Sequence, residues 1–135
     1  MIDFDSALDV HVLRKRRFRE SMSDGATLDV ARIGRANGCA LGEWLYGESD
    51  IDLVATPAFN ACITAHALFH RQAARVAEAI NGGDHAAAEA LMAETGAYHD
   101  ASTHVVGAII ALRRAIAVLD EQRLRDAPPR VENAA

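Results

Sequence analysis

A chain of 135 residues has room for one domain with a hydrophobic core of its own, so it needs no disulfide staples to fold. Half of it is hydrophobic, much of that alanine, and only 5% is aromatic, a balance that disfavours a β-rich fold and favours helix. A formal net charge of -5 argues against nucleic acid as the main partner, and no run of eighteen uninterrupted apolar residues is present to cross a membrane.

The N-terminus carries Asp3, Asp5 and Asp9 with no apolar stretch behind them, so it does not read as a signal peptide. The expected location is the cytoplasm, where Cys39 and Cys62 stay reduced. Asp3 or Asp5 can cap a first helix along which Phe4, Leu8, His11, Lys15, Phe18 and Met22 follow helical spacing, placing His11 inside the apolar stripe. The basic run Arg14, Lys15, Arg16, Arg17 and Arg19 on that helix reads as a solvated face, since helical geometry spreads consecutive charges around the axis. Ser23-Asp24-Gly25 ends it.

A short helix is expected from Thr27 or Leu28 to Ala36, stopped by Asn37-Gly38. Cys39 then falls at the start of another short helix, where the positive end of the helix dipole favours the thiolate, the metal-ligating form. Gly42 lets another helix approach the backbone closely beside the sulfur, and Gly47 is a natural stop. Glu48 to Ala55 reads as an acidic loop. Thr56-Pro57 is the clearest helix start in the chain, an N-cap followed by Pro at the first position. From there Phe59, Ile63, His66, His70, Ala73, Ala77 and Ile80 form a stripe that ends at Asn81-Gly82-Gly83. Asp84 is expected to cap one last long helix, kinked at Gly96, with Leu91, Tyr98, Val105, Ile109, Leu112, Ile116 and Leu119 down one side. The reading is an all-α, antiparallel four-helix bundle with an additional short helix over residues 1–125, and a disordered tail over 126–135.

His66 and His70 stand four apart, which puts both rings on one helix face and close enough to share an ion. With His11 and Cys39 they make three imidazoles and one thiol, the donor set of a closed tetrahedral Zn2+ site. Buried without a metal, these groups would each forfeit about 1–3 kcal/mol for a lost partner. Cys62, one turn before His66, competes for the same place but reads better as a small buried hydrophobe. His85, His99 and His104 lie beside the apolar stripe, at the surface. Ala67 stands where a zinc protease would carry its general base, and four protein ligands leave no open position for catalytic water, so no enzyme is expected. The alternative from another class is a di-iron, oxygen-binding bundle of the hemerythrin kind, but such a site wants five His and bridging carboxylates, and His11, His66 and His70 are followed four residues on by Lys15, His70 and Ala74, not by Glu.

His11, the pattern Cys39-x-Leu41-Gly42-x-Trp44-x-Tyr46-Gly47, the pair His66-x-x-x-His70 and the turn Asn81-Gly82-Gly83-Asp84 together resemble the chemoreceptor zinc-binding (CZB) domain. The resemblance implies a bacterial regulatory module that holds zinc through three His and one Cys without catalysis of its own. It further implies control of a signalling partner, a chemoreceptor or a diguanylate cyclase, in response to zinc or to an oxidant such as hypochlorous acid. A homodimer is also implied, for which Val12, Leu13 and Trp44 are apolar candidates. The chain departs from the family by carrying Arg14 where an aromatic often follows the first His, and no output domain is recognised in it, so it reads as a stand-alone member.

Overall fold

The computed structural model describes residues 2–129, so that within the expected tail positions 130–135 lie outside the described residues. Among the described residues every regular element is helical: α1 (Phe4–Asp24), α2 (Val30–Ile33), a 3₁₀ turn (Ala36–Gly38), α3 (Ala40–Gly47), α4 (Ile51–Val54), α5 (Pro57–Asn81), α6 (His85–Met92) and α7 (Ala97–Asp126). The all-α expectation holds. Three helices of 21, 25 and 30 residues, α1, α5 and α7, carry the bundle, and the short elements pack around them.

The most extensive pairing is between α5 and α7. It buries Phe59, Phe69, Val76 and Ile80 from one side and Tyr98, Val105, Ile109 and Leu112 from the other. Each large apolar side chain removed from water in this way contributes about 1.5–3 kcal/mol. The span His85–Asp126 is long and apolar enough by length and composition alone to cross a membrane, with a mean hydropathy of 1.5 over its best window. Part of that apolar content serves this core, and Arg113 and Arg114 interrupt it. α1 adds Phe4, Ala7, His11 and Phe18 to the interior. Val12 and Leu13 stay on its outside, 57% and 43% exposed, whereas Trp44 is half-buried edge-on to Phe4 and Phe59.

Helix ends follow local chemistry. Asp3 caps α1, its carboxylate accepting from the Asp5 and Ser6 amides, and Thr56 Oγ1 accepts from the Phe59 amide at 3.2 Å to open α5. Three boundaries differ from the sequence reading. The expected single last helix is two, because Asp84 caps α6 and the chain breaks again before α7. At that break a side chain on Gly96 would overlap the carbonyls of Ala90 and Leu91, so glycine is required by space. The second helix is confined to Val30–Ile33, capped by Asp29, and the acidic loop contains α4, capped by Asp50. The connector between α1 and α3 lies along α5: Leu28 exchanges two 2.8 Å hydrogen bonds with the Asn81 side chain, and Gly34 sits against Ala74.

Candidate metal centre

Three elements bring four side chains to one point. α1 contributes His11, the N-cap of α3 contributes Cys39, and α5 contributes His66 and His70 from successive turns. Their ligand atoms all lie within 4.8 Å of one another. The Cys39 sulfur is 3.1 Å from His66 Nε2 and 3.6 Å from His70 Nε2, and the two Nε2 atoms are 3.0 Å apart. A tetrahedron built on metal–nitrogen bonds of about 2.0–2.1 Å and a metal–sulfur bond of about 2.3 Å has donor-to-donor edges of roughly 3.3–3.6 Å. One observed separation matches those edges and two are a few tenths of an ångström shorter.

The proton positions follow from the partners. His70 Nδ1 lies 2.7 Å from the Ile33 carbonyl and His11 Nδ1 lies 2.6 Å from the Ala7 carbonyl. A carbonyl only accepts, so each Nδ1 carries the hydrogen, and each ring keeps an Nε2 lone pair for a ligand. Such outer hydrogen bonds are what fixes the orientation of a metal-ligating imidazole. Burial disfavours the imidazolium in all three rings: His66 is taken down to about 3, first by desolvation and then by its two neighbouring rings, and His11 and His70 are lowered chiefly by desolvation. His66 Nδ1 is buried with no partner. Neutral lone pairs and a sulfur converging on one centre repel one another unless a cation stands between them, so the donor set and its geometry fit a metal ion of borderline softness.

Local sequence explains the placement of the thiol. Cys39 adopts an extended backbone, and its sulfur accepts from the Gly42 amide at 3.4 Å, acting as the cap that Ser or Asp usually supplies. Gly42 is fully hemmed in: a side chain there would overlap the Ala36 carbonyl. The neighbour that glycine admits is thus the 3₁₀ turn, where the sequence led us to expect a helix.

Cys62 does not join the group. It is fully buried in the hydrophobic core, where desolvation pushes its thiol up to about 11. His85 and His104 are exposed and His99 is half-buried, all on α6 and α7 away from the group. The group contains no carboxylate, the ligand with which a di-iron centre bridges its metals. Sequence reasoning missed the residues that orient the ligands. The Ala7 carbonyl, one turn before His11, was open to deduction, whereas Ile33 lies 37 positions from His70 and is brought there only by the tertiary fold.

These features define an all-α domain with one three-histidine, one-cysteine cluster positioned for a metal. Residues 11–77, which include all four side chains, match the family described as the chemoreceptor zinc-binding domain, and over that stretch the chain belongs to this family. No curated protein and no solved structure matches the chain.

Proposed function

We propose that the chain is a zinc-binding sensor domain in which His11, Cys39, His66 and His70 hold one Zn2+. The single observation that carries this reading is the convergence of those four ligand atoms within 4.8 Å, in a region that matches a zinc-binding family. Zinc, when bound, keeps the sulfur as thiolate and supplies the charge that the converging lone pairs need. The protein's own part is mechanical: the four side chains link α1, α3 and α5, elements far apart in sequence.

Two signals can loosen that link. A fall in available zinc empties the site by mass action. Alternatively, the Cys39 thiolate gives two electrons to hypochlorous acid, becoming sulfenic acid as chloride leaves, and the cluster loses its anionic donor. Structural zinc sites contribute roughly 10–16 kcal/mol of apparent binding energy, more than a marginally stable bundle can forfeit without repacking. The repacked surface is what a signalling partner reads, a chemoreceptor or a diguanylate cyclase by the family resemblance.

Metal analysis of the purified protein tests the reading. We expect about one zinc per chain, lost in His66→Ala and His70→Ala and retained in His85→Ala and His104→Ala. On treatment with stoichiometric hypochlorous acid, zinc release should follow oxidation of Cys39. Two irons per chain with visible absorbance would overturn the metal assignment. Cys62 oxidised first, or zinc retained while Cys39 is oxidised, would overturn the redox branch alone.

A further inference from the structure

A basic cavity of about 460 Å³ adjoins the candidate metal centre. It is lined by Arg14 and Arg17 of α1, Arg32 of α2 and Gly38, together with Cys39 and His70. No Asp or Glu lines it. Arg16, Arg19, Arg113 and Arg123 form ion pairs with carboxylates elsewhere, but among the described residues none of the three cavity arginines does. Three guanidinium groups are therefore gathered without a carboxylate partner in a chain whose net charge is -5.

Arg14 is the sharpest case. It is half-buried, and its removal from water weakens its hold on its proton. A charge partly stripped of water with no partner costs stability, and an anion in the cavity would offset that cost. The solvated-face reading of the basic run on α1 suits exposed Arg16 and Arg19, whereas half-buried Arg14 and exposed Arg17 line the cavity. The planar guanidinium fork matches paired oxygens of one oxyanion, a geometry that lysine does not offer. The volume exceeds what a bare phosphate fills and lies in the range of small-molecule sites.

We propose that this cavity binds a phosphate-class oxyanion, either inorganic phosphate or the phosphate of a small monoester, held by Arg14, Arg17 and Arg32 beside Cys39. Binding would draw α2 toward α1. The carbonyl of Ile33, next to Arg32, holds His70 Nδ1 at 2.7 Å, so the anion also stiffens one side of the metal centre. The three arginines are not zinc ligands, although Cys39 and His70 line the same cavity.

The test is a titration of the full chain with inorganic phosphate and, separately, with ribose 5-phosphate at constant ionic strength, followed by NMR at the Ile33 and Gly38 amides and the arginine Nε–H groups. Saturable shifts are expected, with binding weakened about tenfold by Arg14→Gln or Arg32→Gln. Arg125→Gln removes the same charge from the far end of α7 and should change binding by less than about twofold. Should Arg14→Gln fail to fold, Arg14→Lys keeps the charge but loses the fork, and a weaker affinity carries the test. Tighter binding of the ester assigns the remaining volume to an organic group, and equal binding assigns the site to free phosphate; both support the proposal. Shifts that never saturate, or that Arg125→Gln reduces as much as Arg14→Gln, reflect general charge screening and overturn it. Binding that survives the arginine changes but vanishes on chelation places the anion on the metal and also overturns it. Failure of the zinc reading would show in metal analysis and leave this titration unchanged.

Discussion

His66 shows what burial does to a ligand before any metal arrives. With 0% exposure its imidazole is held neutral down to about pH 3, while an unfolded histidine takes up its proton near 6.5. Between those values the unfolded chain binds more protons than the folded one, so folding loses stability as pH falls. His11 and His70 are lowered too and add in the same direction. The metal-stripped protein should therefore show a urea midpoint that is flat above about pH 7.5 and declines from pH 7 to pH 5, before most carboxylates titrate. A profile flat across that window in circular dichroism melts would mean that the rings are solvated. At this scale the sequence was informative wherever helical period decides: His66 and His70 share a face because they are four apart. It was silent on protons, since the partner that fixes the His70 tautomer comes from a distant loop.

Among the elements, α3 depends most on a single residue. Gly42 donates its amide to the Cys39 sulfur and leaves the space that the Ala36 carbonyl occupies. Ala36 is backbone and cannot rotate away, so Gly42→Ala must displace either the 3₁₀ turn or the start of α3. Overpacking of this kind costs roughly 1–3 kcal/mol, and here it also shifts a ligand. We expect Gly42→Ala to lower both the melting temperature and the affinity for zinc, and Gly47→Ala, which meets nothing within 4 Å, to change neither appreciably. If metal affinity in Gly42→Ala equals that of the parent, Cys39 is not positioned by this contact. Caps made the starts of α1 and α5 legible at Asp3 and Thr56. The break before α7 was not, because the close approach of Gly96 to carbonyls of α6, which leaves no room for a side chain, exists only in the folded turn. α4 was hidden for a related reason: a four-residue helix is too short to display a period.

For the molecule as a whole, the bundle core and the metal cluster are one continuous interior. Phe69 touches the rings of His11 and His70 on one side and Tyr98 of α7 on the other. The overall class was readable from composition and stripes, since both report burial. The path of residues 28–39 was not, because it is decided by two polar attachments to α5. One is Asn81, which grips Leu28 through two 2.8 Å hydrogen bonds remote from the metal centre. The other is His70, whose hold on Ile33 depends on its ring staying where a ligand must be. The segment is therefore tied to α5 at two points of different kind, at Leu28 away from the metal centre and at Ile33 through a ligand of it. Hydrogen exchange should reveal this asymmetry: on chelation of zinc the amides of residues 30–38 should exchange faster while that of Leu28 keeps its protection, and equal loss at both ends would refute it. Arg32 stands next to Ile33, and the segment leads directly into Cys39, so loss of the Ile33 attachment is expected to be felt by charge and thiol together.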